Sequence, residues 1–226
     1  MLADIECRFV ADLVADRRRA VVAARRDLGE AAFTELVGMF WGIIETRPFM
    51  RATAGLADAL QQERLAVHTD EAIALYEQML RLNPNDNQGI RYPLIGCYLQ
   101  RRRYENAAEL LQRFEDDGSA VFSWAAVLLA LAERVSKATD DKPTDDKHTE
   151  DRPADDSAVQ PRLADARAQN PHAEKYFTCQ RRLPRYRPPY YGVGDESEAI
   201  FCAEILHKAW KKHPKAKAWL KAASSQ

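Results

Sequence analysis

Cysteine is scarce and scattered. The four in 226 residues are Cys7, Cys97, Cys179 and Cys202, and no two form a Cys-x-x-Cys pair. That usage excludes a disulfide framework and fits a reducing cytosol. Long apolar runs are missing as well. The longest, Ala120 to Ala132, is interrupted by Ser123 and is shorter than the roughly 20 residues a bilayer-spanning helix needs. No membrane span is expected. The first residues, Met1 to Glu6, are acidic and carry no secretory apolar core, so the expected location is the cytoplasm. Glycine is sparse at nine residues and forms no phosphate-cradling loop, and no nucleophile motif is visible. Charge of one sign is not in excess either. The formal net charge is −1, which gives no reason for a nucleic-acid or membrane partner.

What remains is rich in Ala, Leu, Arg and Glu, a composition that favours helix. With 46% hydrophobic residues, the chain can bury a sizeable core. Its organising stretch is Thr53 to Ser119. Asp70-Glu71-Ala72-Ile73-Ala74-Leu75-Tyr76 ends at Asn83-Pro84, and Tyr104-Glu105-Asn106-Ala107-Ala108-Glu109-Leu110-Leu111 follows. Ala72 and Ala107 stand 35 positions apart, as do Tyr76 and Leu111. A small residue, a large one four positions on and a closing proline, repeated at about 34 residues, resemble a tetratricopeptide array. The physical logic is that paired antiparallel helices cannot bury their apolar faces alone. The small Ala admits the neighbouring helix, Tyr76 fills the space beside it, and Pro84 ends the unit. Leu56, Ala59 and Leu60 are expected on the facing side of the preceding helix. Leu94, Ile95 and Tyr98 take those positions in the second repeat, with Pro93 at a kink or in the first turn of a helix starting near Arg91.

Around this core the chain reads as one all-α domain. Residues 4–52 form an N-terminal helix pair. Its first helix, 4 to 28, carries Ile5, Phe9, Leu13, Val21 and Val22 on one face and ends at Gly29. The second, from about Glu30 to Glu45, carries Phe33, Val37, Phe40, Trp41 and Ile44. Repeat 1 spans 53–86 and repeat 2 spans 87–119. Repeat 3 spans 120–171 and is interrupted at 139–156 by a degenerate five-residue repeat, Thr-Asp-Asp-Lys-Pro and its variants. This insert holds eight acidic and three basic residues, has no apolar content, and is expected to be disordered. Asn170-Pro171 echoes Asn83-Pro84. Removing the 18-residue insert leaves one repeat length between Ser119 and Pro171, so the insert belongs to the turn inside a helical hairpin. Such a lengthened loop costs little stability. Residues 172–226 comprise a Pro-rich extended segment, 183–192, and capping helices. Asp195 and Glu198 form a capping box at the start of one of them, and His213-Pro214 breaks it.

The C-terminal stretch Asn170-Pro171-His172-x-x-Lys175-Tyr176, followed by Gly194-Asp195-x-Ser197-Glu198-Ala199-Ile200, resembles the C-terminal motif of the suppression-of-tumorigenicity-7 proteins. Phe40-Trp41, Glu45 to Arg51 and Leu80 to Tyr92 are similar to stretches of uncharacterised bacterial tetratricopeptide proteins. The resemblance implies a right-handed α-α superhelix serving as an interaction module, and it implies no activity.

Candidate chemistry is thin. Cys202, His207 and His213, with Cys179 and His172, offer metal-ligand residue types. Spacings of five and six on a helix do not bring them to one face, so ordinary buried Cys and surface His are the plainer reading. Asp195, Glu196 and Glu198 suit a helix N-terminus electrostatically. No catalytic residue, metal or cofactor is expected. The leading expectation is a protein- or peptide-binding scaffold whose first helices line a concave face. Its polar candidates are Glu45, Arg47, Arg51, Arg64, Asn87, Arg91 and Tyr92, with Gln61 and Gln100 beside them. Arginine suits two-point capture of a carboxylate. The competing reading has Arg47 and Arg51 pair with Glu45, and has Asn85 to Asn87 cap the next helix. Besides an enzyme of unrecognised chemistry, two other roles compete with the scaffold. In one, residues 183–192 fill the groove. In the other, the basic tail from Lys208 to Lys221 binds nucleic acid weakly.

Overall fold

A computed structural model describes residues 2–62, 66–140 and 156–224 of the chain. Every regular element among them is helical, and no strand occurs. They form two compact units, one ending at Cys97 and one beginning at Tyr98. The expected insert falls almost wholly outside the described residues, as does Arg64.

The first unit opens with a long helix, α1 (Leu2–Leu28). Gly29 ends it in a left-handed conformation, φ +77°, and donates its N–H to the Arg25 carbonyl. Among the α1 side chains that are described, which leave out the expected Ile5 and Phe9, Val14 is buried, whereas Val22 is 63% exposed. The expected apolar stripe is therefore corrected at Val22.

The next stretch departs from expectation. A single helix over 30–45 is replaced by one turn, α2 (Ala32–Glu35), a run of turns, and a 3-10 turn at Ile44–Thr46. The reason lies in Gly38 and the carbonyl it meets. Gly38 adopts φ +88°, which a helix cannot contain. It and Phe40 both donate N–H groups to the Leu82 carbonyl, at 3.1 and 3.2 Å. The loop thus satisfies an orphan carbonyl at the end of another helix. Phe33, Phe40 and Phe49 pack as a trio, ring centroids 4.8 to 6.1 Å apart. Thr46 locks the loop through its hydroxyl, which donates to the Phe40 and Ile43 carbonyls.

Then come α3 (Arg47–Gln62), with Pro48 in its first turn, and α4 (Ala66–Leu82). The two pack together, and α1 packs on α3. Leu56, Ala59 and Leu60 of α3 and Ala72, Ile73 and Tyr76 of α4 are all buried. Each large apolar side chain so buried is worth about 1.5–3 kcal/mol before entropy is counted. Tyr76 also ties the hairpin: its hydroxyl donates to Asp58 at 2.7 Å and accepts from Gln61 at 2.8 Å. Burial and the nearby Asp58 push its phenol far above the usual range. The following helix, α5 (Arg91–Gln100), has Pro93 in its first turn and buries Leu94, Ile95 and Tyr98.

In the second unit α6 (Tyr104–Arg113) and α7 (Ala120–Asp140) pack together. Helix α7 runs about a turn beyond its expected end. Its neighbour α8 (Val159–Gln169) packs along it, so residues 141–155 connect the two helices of one packed pair. A short turn, α9 (Glu174–Phe177), precedes α10 (Glu196–Lys212) and α11 (Pro214–Ala223). Helices α8, α10 and α11 all touch α7, which forms the centre of this unit. Trp124 and Trp210 are fully buried on either side of Phe177, whose ring stacks on Trp210 at 5.0 Å.

Candidate functional site

The expected binding residues that are described separate into two small groups. Both lie in the first unit, near the C-terminal end of α4, because the 38–40 loop holds the Leu82 carbonyl and the Asn83–Asp86 turn follows directly.

The first group surrounds Trp41. Arg47 donates its Nε–H to the Trp41 carbonyl at 2.9 Å, and its guanidinium carbon sits 5.3 Å from the indole centroid. Arg51, one turn along α3, places its guanidinium 5.9 Å from the same ring. Both distances are within cation–π range. Glu45 is exposed, and among the described residues no carboxylate forms an ion pair with Arg47 or Arg51. The indole, not Glu45, positions these arginines, which corrects the competing reading. Most of their N–H donors remain open to a carboxylate-bearing ligand.

The second group is built into the fold. Asp86, at φ +48° and with a side chain only 1% exposed, accepts from the N–H groups of Ile90 and Arg91 at 2.7 and 3.0 Å. It therefore caps the first turn of α5. Arg91 returns to it with a 3.0 Å ion pair, donates to the Tyr92 hydroxyl at 2.9 Å, and lies over the Tyr92 ring. These contacts occupy Arg91 and Tyr92 within their own turn, while Asn87 is exposed. The capping reading of this loop holds, with Asp86 as the residue that caps.

The second unit contains a buried polar hub that the sequence showed in part. Asp195 caps α10 as expected, accepting from Ser197 and Glu198 N–H groups. Glu198 does not reach back to the Asp195 N–H, as a capping box requires. It accepts instead from Gly194 N–H at 2.7 Å, Asn170 Nδ2 at 3.1 Å and Ala120 N–H, the first of α7, at 3.0 Å. Asn170 also donates to the Asp195 carbonyl and accepts from His172 N–H. These contacts fasten α7, α8 and α10 together. The metal-type residues are dispersed. Cys202 donates to the Ala120 carbonyl, His207 is exposed, and His213 bonds to Ala209 and Tyr104. Among the described residues no group of three or more His, Cys, Asp or Glu side chains is placed to hold a metal. Nor is any described helix long and apolar enough to cross a membrane.

The Pro-rich segment, residues 183–192, precedes α10 and lies against it. Tyr191 stacks on Phe201 at 5.1 Å, and Arg187 pairs with Glu204. Tyr186 and Tyr190 are 77% and 87% exposed.

No curated protein and no solved structure matches the chain, so the C-terminal resemblance to the suppression-of-tumorigenicity-7 proteins has no support. Residues 66–119, which hold α4, α5 and α6, match the tetratricopeptide-repeat family model, and the fold is accordingly an all-α helical repeat of tetratricopeptide type, an architecture that suggests a protein-interaction scaffold.

Proposed function

We propose that the chain is a non-catalytic scaffold that binds an acidic protein segment through Trp41, Arg47 and Arg51. The observation that carries this is the pair of guanidiniums held over one indole with no carboxylate partner among the described residues. A partner's Asp or Glu side chains would complete the charge and use the open N–H donors. Glu45 and Asn87 are exposed, whereas Arg91 and Tyr92 are engaged in the Asp86 turn. The rival role, a groove plugged by residues 183–192, is disfavoured by the exposure of Tyr186 and Tyr190, since side chains left in solvent fill nothing.

The test uses the intact chain, a fluorescent Asp/Glu-rich peptide and a Lys-rich control. The wild type is compared with Arg47→Ala/Arg51→Ala, checked for helix content by circular dichroism. Binding of the acidic peptide that weakens at least about tenfold in the folded variant supports the proposal, since each lost charge-assisted bond is worth about 1.5–3 kcal/mol. Equal retention by both proteins would sink it.

A further inference from the structure

The second unit holds a cavity of about 330 Å³ where the turn before α6, the later part of α7 and the α10–α11 junction come together. Arg102, Tyr104, Ser136, His213 and Lys215 supply its polar wall, and Ala132 and Val135 are on its apolar one. No acidic side chain lines it.

The polar wall is built. The Ala209 carbonyl, 2.8 Å from His213 Nδ1, can only accept, so Nδ1 carries the ring hydrogen. In the neutral ring Nε2 then accepts from the Tyr104 hydroxyl at 2.8 Å. Burial, with Arg102 adding to it, holds this imidazole below its ordinary value of 6.5. Arg102 donates to the Lys212 carbonyl at 3.3 Å, which leaves most of its five N–H donors for other acceptors. It stands at φ +57°, where glycine would fit without strain. Among the described residues no carboxylate pairs with Arg102 or Lys215. A concave site with two cations, no acid and an apolar side is a site for an anion that carries an apolar body.

We propose that this cavity binds a small carboxylate with a short apolar chain, its carboxylate held by Arg102 and Lys215 and its chain laid against Ala132 and Val135. Tyr104 and His213 form the rigid floor that fixes the depth of the site. The site lies wholly in the second unit and does not depend on the Trp41 arginines.

The experiment titrates the intact chain with hexanoate, hexylamine and inorganic phosphate, reading heat and the His213 imidazole signals by NMR. His213 signals are assigned by their loss in His213→Gln. Hexanoate is expected to bind saturably and to shift the His213 signals, while hexylamine does neither. Arg102→Gln/Lys215→Gln, folded by circular dichroism, is expected to weaken hexanoate at least about tenfold. The proposal is overturned if hexanoate leaves the His213 signals in place, if the double variant binds it as tightly as wild type, or if hexylamine binds equally well. Phosphate binding as tightly as hexanoate also overturns it, since the apolar wall would then have no role.

Discussion

Replacing Glu198 by glutamine changes one oxygen to an amide in a site that is 2% exposed. The wild-type carboxylate receives three donors: Ala120 N–H on one oxygen, and Gly194 N–H with Asn170 Nδ2 on the other. A glutamine can keep only one acceptor oxygen. Whichever way it turns, its NH2 group faces an N–H that cannot accept. If it keeps the Gly194 side, the first N–H of α7 is stranded in the interior. A buried donor left without a partner costs about 1–3 kcal/mol, and loss of the charge weakens the bonds that survive. The sum is about 2–4 kcal/mol. For a chain of this size that corresponds to a fall in Tm of roughly 5–15 °C. Thermal unfolding read by tryptophan emission reports on the right part of the molecule, because Trp124 and Trp210 are fully buried in the same unit. Glu105→Gln, at an exposed position on α6, serves as the control and should leave Tm unchanged. A Tm for Glu198→Gln within a degree of wild type would refute the idea that this carboxylate holds α7 to α10.

Asp86→Ala removes the α5 cap and the Arg91 ion pair, and it places alanine at φ +48°; a loss of about 2–3 kcal/mol in urea unfolding is expected, and Asp86→Asn should recover part of it. Stability should fall as pH drops below about 6.5, because the unfolded chain charges His213 before the folded one does; His213→Gln should flatten that part of the stability–pH profile. Tyr76 runs the other way: its raised phenol contributes stability that is full below about pH 10 and is lost as pH rises further, so in absorbance titration it should ionise only with unfolding. Native alkylation should modify exposed Cys179 well before buried Cys97 and Cys202, as peptide mass spectrometry would show; equal labelling would contradict the packing of α5 and α10.

The hairpin pattern was legible because it depends on side-chain size at fixed spacing. Ala72, Tyr76 and Ala107 are fully buried, as the repeat requires. The region from 30 to 45 was misread because its apolar residues also recur at helical spacing. Gly38 carried the contrary signal, but the use of that glycine depends on the Leu82 carbonyl more than forty residues away, and local periodicity contains no term for a distant acceptor. Glu198 failed for the same reason. The Asp195-x-x-Glu198 spacing suggested a local partner, and the carboxylate found better donors at Gly194 and on α7.

The arginines carry this distinction into function. Arg47, Arg51 and Arg91 were equivalent in the sequence: each was an arginine near a helix start with an aromatic close by. What separates them is the carboxylate within reach. Arg91 follows Asp86 by five residues, the distance at which a capping side chain and a first-turn guanidinium meet, and the pair closes at 3.0 Å. Arg47 and Arg51 have Trp41 instead, which orients a cation without neutralising it. An indole leaves the charge available to a partner and a carboxylate cancels it. The Trp41 surface is for that reason the one on which the proposed recognition of an acidic segment should depend, and substitution of Arg91 should act on stability first.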